Sequence, residues 1–219
     1  MNQRGVFVTG TDTGVGKSVV AAALLCALRE AGVDAVPMKP VQTGCRRRGG
    51  DWAAPDLDFC LFMASLRPPA RERRWMAPYC FAPACSPHLA AERAGTVISQ
   101  ARIRTCFHRL AARHDFVVVE GAGGVLAPVS RRRTMADVMK SLALPVILVA
   151  RPGLGTINHT LLSLRELRRT GLRVAGVVFN ETTPTRTGFI ERDNRKTVEQ
   201  LGGVPVMGCM PFLSGLENR

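Results

Sequence analysis

At 219 residues the chain has the length of one domain and enough residues for a proper core. Seven cysteines, an odd number at irregular spacings, argue for reduced thiols and against a disulfide framework. No apolar run is long enough to span a bilayer and no signal peptide precedes the first strand, so a cytoplasmic protein is expected.

The 30 Lys and Arg against 17 Asp and Glu give a net charge of +13. Such a balance suits either phosphate contacts to nucleic acid or a solvated basic surface on an enzyme with anionic substrates. The arginines are spread along the chain, with tight runs only at Arg46–Arg48 and Arg131–Arg133. No basic helix carries interleaved aromatics, so the second reading is preferred and nucleic acid is not an expected partner.

The first element is a short apolar β-branched run, Val6-Phe7-Val8, leading into a Gly- and Thr-rich turn that ends in Gly16-Lys17-Ser18. An Ala/Leu-rich helix follows at once, from Lys17 to about Ala31, with Gly32 at its end. This is a phosphate cradle: loop N–H groups and the positive helix N-terminus converge on one anion. Lys17 would reach the β- and γ-phosphates, and the Ser18 hydroxyl would ligate Mg²⁺. The common spacing places the first glycine of such a loop where Thr11 stands, and Gly10 comes one residue too early.

A second strand, Asp34 to Met38, ends in Lys39-Pro40-Val41-Gln42-Thr43-Gly44. Ligands of open α/β sheets bind along the C-terminal rim of the strands, so Lys39 is expected beside the triphosphate. Cys45 to Pro55 is rich in Gly and Arg and reads as a mobile loop. Asp56 to Met63 then reads as a helix. Its Asp56 and Asp58 suit either pairing with the helix N-terminus or a metal at the rim. Ser86-Pro87 is an N-cap and N1 pair for a helix near His88, and Ser99 to His114 is an amphipathic helix.

Asp115 to Glu120 reads as a fully buried parallel strand that ends in the acid Glu120 and is followed by Gly121-Ala122-Gly123-Gly124. An acid at that position is suited to hold Mg²⁺ directly or through water, and the glycines let backbone approach a ligand closely. Leu144 to Ala150 is the next strand. After Arg151-Pro152-Gly153-Leu154, the residues Gly155, Thr156, Ile157 and Asn158 open a helix to about Arg169, whose free N–H groups form a second anion site. A strand from Arg173 ends in Asn180, a helix spans Ile190 to Leu201, and Val204 to Cys209 is the last strand. Strands alternating with helices predict a mostly parallel sheet with helices on both faces.

The chain resembles the dethiobiotin synthase family. The resemblance rests on VTGTDTGVGKS, MKPVQTG, PYCFAPACSPHLAA, VVVEGAGGVLAPV, LPVILVARPGLGTINH, GVVFN and CMPFL, which come in the family's order over nearly the whole chain. It implies an α/β fold of the P-loop NTPase type as one ligase domain. It also implies ATP- and Mg²⁺-dependent joining of CO₂ to 7,8-diaminononanoate as a cyclic urea. Lys39 and Lys17 would be the catalytic charges. Thr13, Gly14, Val15, Gly16, Lys17, Ser18 and Val19, with Glu120, Gly121, Ala122 and Gly123, would surround the phosphates. Ser18, Asp56 and Glu120 would place the metal, with Asp56 aligning better than Asp58. Thr43 would touch the substrate. Asn180, Pro211, Phe212 and Leu213 would meet the adenine, and Glu217 the ribose or adenine. Gly155, Thr156, Ile157 and Asn158 would hold the substrate carboxylate from a second subunit, which implies a homodimer. Arg46 to Asp51 lies outside the family pattern.

A rival is a partition- or septum-type ATPase switch, which binds DNA or membrane on the same kind of loop. Such switches carry an additional lysine early in the loop, and Gly10 to Val15 has none. A cobyrinate-type amidotransferase would need a glutaminase domain for which the chain is too short.

Overall fold

A computed structural model describes residues 4–184 and 188–215; Glu217 lies outside the described residues. In chain order the elements are β1 (Gly5–Gly10), α1 (Lys17–Glu30), β2 (Ala35–Met38), β3 (Val41–Gln42), β4 (Arg46–Arg48), β5 (Asp51–Ala53) and α2 (Pro55–Met63). They continue with α3 (Ala70–Met76), β6 (Tyr79–Cys80), α4 (Pro87–Arg93), α5 (Gln100–Ala111), β7 (Phe116–Gly124), β8 (Pro128–Ser130) and β9 (Arg133–Thr134). The remainder are α6 (Met135–Leu142), β10 (Val146–Ala150), α7 (Thr156–Arg169), β11 (Val174–Asn180), α8 (Phe189–Gly202) and β12 (Val206–Met210).

The main sheet has the order β12-β11-β10-β1-β7-β2, and each neighbouring pair in it is parallel. Parallel neighbours need crossovers, which the helices supply. Both faces of β1 are buried. Val6 and Val8 pack with Val20, Ala21 and Leu25 of α1 on one face. Phe7 points the other way, into the layer holding Ile103, Phe107 and Leu110 of α5 and Met135, Val138 and Met139 of α6. Burial on both faces is why these strands read as continuous apolar runs rather than as alternating ones.

Strand register builds the site. Val8 pairs with Glu120, but the next pairing is Gly10 with Gly124. The intervening Gly121–Gly123 therefore bows out of the ladder at the rim. On the other side Met38 pairs with Val119, which brings the next residue, Lys39, level with Glu120.

Several elements differ from the sequence reading. Arg46–Arg48 and Asp51–Ala53 form an antiparallel hairpin rather than an irregular loop. Arg47 lies 4.1 Å over the Trp52 ring and donates to the Gly50 carbonyl at 3.0 Å. The helices α3 and α6 were not read at all. Ser86 does open α4, but without a side-chain cap bond, because its hydroxyl is paired with His88 Nδ1 at 3.0 Å. Ser99 caps α5 as expected, accepting from the Arg102 N–H at 3.3 Å.

Candidate active site

The loop between β1 and α1 is pinned at its entrance by the Thr11 N–H donating to Val149 O at 2.9 Å. It ends at Gly16, in the left-handed region with φ of 88°, and α1 begins there without a side-chain cap. The first-turn N–H groups are thus left for an anion. Asn180, at the end of β11, braces the loop from below by donating to the Val15 carbonyl at 3.2 Å. Lys17 Nζ donates to Asp12 O at 2.8 Å across the mouth of the loop. Burial, and then the nearby Lys39 charge, lower the Lys17 ammonium from its ordinary value to about 8. Anionic phosphate at the loop would favour its charged form. Lys17→Ala is expected to weaken ATP binding and catalysis together, by about 10²-fold in kcat/KM. Unchanged kinetics of that variant would remove Lys17 from the phosphate site.

The second half of the site converges on Lys39, which is only 3% exposed. Its Nζ lies 2.5 Å from Asp56 Oδ2 and 2.7 Å from Glu120 Oε1, and it donates to the Gly121 carbonyl at 3.1 Å. Ser18 Oγ donates to the same Glu120 oxygen at 2.8 Å. Burial alone would lower the Lys39 ammonium, but Glu120 and Asp56 outweigh it and hold the group above its usual value. Burial also works against the Asp56 carboxylate, yet Lys39 and a Gln42 hydrogen bond keep it below the ordinary range. For Glu120, burial prevails over Lys39 and pushes the carboxyl up.

Asp56 and Asp58 take different roles. Asp56, in the first turn of α2, faces Lys39. Asp58 turns away, accepting from the Ala54 N–H at 3.0 Å and pairing with Arg73. Successive positions on a helix differ by about 100°, so residues two apart cannot share one face. Gln42, buried beneath the site, had not been singled out from the sequence. Its Nε2 donates to Asp56 Oδ2 and its Oε1 accepts from the Asp56 N–H, both at 3.2 Å. The signal for it was weak: a buried glutamine and an exposed one look alike in a short polar-flanked segment.

Ser18, Asp56 and Glu120 present only oxygen donors near one point, a donor set that fits a hard divalent cation such as Mg²⁺. Among the described residues there is no group of three or more His, Cys, Asp or Glu built to hold a metal. One or two carboxylates plus substrate phosphates are the usual setting for Mg²⁺.

A cleft of about 1000 Å³ joins these groups. Thr13, Gly14, Gly16, Lys17, Ser18 and Val19 line it from the loop, Lys39, Thr43 and Asp56 from one side, and Glu120, Ala122 and Gly123 from the floor. Val15 is buried behind the loop, and Gly121 contributes its carbonyl to Lys39. Val125, Leu126, Ala127 and Leu162 add an apolar wall that the sequence reading did not assign. Asn180, Pro211, Phe212 and Leu213 line a separate hollow of about 230 Å³ shared with Gly16 and Val19. The Phe212 N–H there is held by Glu181 Oε2 at 3.3 Å. Gly155, Thr156, Ile157 and Asn158 do not line the cleft of this chain. Gly155 caps α7, and the buried Thr156 hydroxyl is engaged with Thr160 at 3.2 Å.

The sheet order and the phosphate cradle at the end of β1 place the chain among α/β proteins of the P-loop NTPase type. Solved structures agree on that fold. The chain superposes on a MinC:MinD cell division protein complex from Aquifex aeolicus with a TM-score of 0.65, at 14% identity over 98% of this chain and 84% of the other. A ParA family ATPase from Chlorobium tepidum gives 0.58 at 17% identity, over 97% and 86%. At such identities the likeness is one of fold alone. A family profile described as an AAA domain matches residues 4–219. The ATP-dependent dethiobiotin synthetase of Anaeromyxobacter dehalogenans strain 2CP-1 is 50% identical over 181 residues, 83% of this chain and 78% of that protein. That of Anoxybacillus flavithermus is 37% identical over 217 residues, 99% and 95%. The chain belongs to the ATP-dependent dethiobiotin synthetase family. It is an ATP-dependent ligase.

Proposed function

We propose that this chain, working as one ligase domain, joins CO₂ to 7,8-diaminononanoate with ATP to give dethiobiotin, ADP and phosphate. Family membership supports the reaction. The observation that carries it at this site is the Lys39 ammonium, held between Glu120 and Asp56 in the same cleft as Lys17 and Ser18.

One substrate amine adds to CO₂ and loses a proton, leaving a carbamate. A carbamate oxygen attacks the γ-phosphorus, the bond to the β-phosphate oxygen breaks and ADP leaves. The second amine attacks the carbon of the mixed anhydride, the C–O bond to phosphate breaks, and the urea ring closes with loss of a proton. Carbamate and triphosphate are both anions, so fixed positive charge must bring them together. Lys39 stabilises the carbamate and the transferring phosphoryl oxygens, and Lys17 holds the β- and γ-phosphates. Thr43 orients the amine end of the substrate. Ser18, Asp56 and Glu120 would hold Mg²⁺, which when bound would neutralise charge at the phosphates. The wall of Val125, Leu126, Ala127 and Leu162 suits the methylene chain of the diamine. Asn180 and Pro211–Leu213 suit a base stacked beside the loop.

The carboxylate end of the diamine is assigned to the α7 start of a second copy, which makes the working form a homodimer. Leu154, 95% exposed beside Gly155, then lies at the interface. Leu154→Asp is expected to shift the chain toward monomer in sedimentation and raise KM for the diamine about tenfold. A variant that stays dimeric with unchanged KM contradicts this assignment.

The reaction itself is tested by incubating the chain with ATP, Mg²⁺, bicarbonate and the diamine and resolving products by mass. The expected result is one dethiobiotin for each ADP formed. ATP hydrolysis stimulated by DNA or lipid vesicles, with no dethiobiotin, would favour the ATPase switch instead. No described helix is long and apolar enough to cross a membrane.

A further inference from the structure

The first turn of α2 divides the cleft from a second hollow of about 360 Å³, which shares no lining residue with it. Asp56 lines the cleft, whereas Ala54 and Leu57 line the hollow. Trp52, Tyr79 and Phe81 supply its aromatic walls. These walls are held in place. Tyr79 is buried, its hydroxyl accepts from the Ser99 N–H at 2.9 Å, and its ring stacks on Phe81 with centroids 6.2 Å apart. Trp52 is half-buried, with the Arg47 guanidinium over its ring.

Three arginines line the same hollow, Arg73 and Arg74 from α3 and Arg102 from α5. Against them the lining holds a single acid, the exposed Asp51. Arg73 is paired with Asp58. Arg74 and Arg102 form no ion pair among the described residues. The Arg102 guanidinium lies 4.8 Å over the Tyr79 ring. Stacking uses the flat face of a guanidinium and leaves its in-plane N–H donors free. Those donors match a carboxylate or a phosphate in a two-pronged hydrogen bond.

We propose that this hollow is a binding site for a small organic anion, with Arg74 and Arg102 taking a phosphate or carboxylate group and Trp52, Leu57, Tyr79 and Phe81 enclosing a flat apolar body. The lining selects that class. Two unpaired cations outweigh one acid, so charge complementarity disfavours a cationic ligand. Aromatic and aliphatic walls give a bare inorganic ion nothing in return for its lost hydration. An apolar body beside the anionic group satisfies both halves of the lining. Small-ligand pockets span about 300–1,000 Å³. This hollow stands at the small end of that range, which suits one ring with its anionic group rather than a nucleotide.

Occupancy reaches the cleft through α2. Asp58 holds Arg73 with one carboxylate oxygen and accepts from the Ala54 N–H at 3.0 Å with the other. An anion in the hollow competes with Asp58 for Arg73 and loosens the turn on which Asp56 faces Lys39. Small displacements of positioning groups are costly, so a filled hollow is expected to slow turnover about tenfold. This consequence rests on the role proposed for Asp56; binding itself does not.

The test fills the phosphate loop of the full chain with a non-hydrolysable ATP analogue and Mg²⁺, so that the loop does not compete for anions. Phenyl phosphate and phenylacetate are then titrated by calorimetry and by tryptophan fluorescence, and turnover is followed in a parallel assay with ATP. Trp52 and Trp75 are the two tryptophans of the chain, and Trp75→Phe isolates the Trp52 signal. The expected result is saturable binding that changes the Trp52 emission, and the tighter of the two compounds names the anionic group. Inorganic phosphate and phenol alone should each bind about tenfold more weakly or worse, since each forgoes half of the contacts. Arg74→Gln and Arg102→Gln, at exposed positions outside the cleft, should each keep the basal turnover and weaken binding about tenfold. No saturable binding of either compound at millimolar concentration overturns the proposal. So does binding that is unchanged in the Arg74→Gln/Arg102→Gln double variant, or inorganic phosphate that binds as tightly as phenyl phosphate. Binding that leaves turnover unchanged overturns the coupling to Asp56. Should the chain make no dethiobiotin at all, the titration still decides the site.

Discussion

Lys39→Ala should still bind ATP but lose turnover by about 10³-fold, the cost of removing a preorganised charge from a water-poor site. Lys17, Ser18 and the α1 N-terminus, to which the phosphates are assigned, remain in place in that variant. What disappears is the ammonium between Glu120 and Asp56. Charge developing on the carbamate and the transferring phosphoryl oxygens then has no fixed partner. The same change leaves the buried Glu120 carboxyl without its partner and beside the part-exposed Asp56, and breaking a buried pair in this way costs about 3 kcal/mol of stability. The apo variant should therefore melt earlier, with a smaller difference when Mg²⁺ and ATP are present. ATP affinity is read by nucleotide titration and turnover by product formation. Near-normal turnover in a folded Lys39→Ala chain would falsify the role given to Lys39.

The second large effect is at Gly16. A Cβ there would stand 2.1 Å from Asn180 Nδ2 and 2.8 Å from Asn180 Cγ. Neither can give way easily, because Asn180 is buried and its amide holds the Val15 carbonyl. The backbone adds its own penalty, since φ of 88° at Gly16 is left-handed, costing an L-residue about 1–2 kcal/mol. Gly16→Ala is expected to weaken ATP binding by about 10²-fold or more, given roughly 1.4 kcal/mol per tenfold. Because Asn180 also braces the loop, the clash is isolated by comparison with Asn180→Ala alone: adding Gly16→Ala to that variant should cost about tenfold less than it costs in the parent chain, since the two sites touch and their effects do not add. Some cost should persist, since the backbone penalty remains. If Gly16→Ala costs as much in the Asn180→Ala background as in the parent chain, the clash with Asn180 is not the cause.

Much of this site could be read from residues alone, because its parts are local. A strand, a Gly-rich turn and a helix in immediate succession make the phosphate cradle without help from distant residues. Glu120 and Lys39 were legible because an apolar run announces each strand end. What could not be read was which distant groups meet. The Lys39–Glu120 contact depends on β2 lying beside β7 in the register that pairs Met38 with Val119. Which of Asp56 and Asp58 faces Lys39 depended on which face of α2 turns inward: Asp56 meets Lys39, and Asp58 pairs with Arg73 from α3.

Other gaps have local causes. The β4–β5 hairpin is built of arginines without apolar alternation, so periodicity is silent there, and Trp52 under Arg47 supplies the packing. The helix α6 did carry a readable start. Thr134 and Asp137 form a capping box, with the Thr134 N–H donating to Asp137 Oδ2 at 2.7 Å. Ser18 aside, the side chains that complete the site, Gln42 and the Val125–Ala127 wall, come from segments whose burial only the fold decides.

Incorporation of labelled bicarbonate into acid-stable product tests the central claim most directly, with the parent chain and Lys39→Ala run side by side. The account predicts label in the parent chain only when ATP, Mg²⁺ and 7,8-diaminononanoate are all present, and almost none in the variant although it still binds ATP. Label that appears without ATP, or a parent chain that hydrolyses ATP and fixes no label, would contradict it.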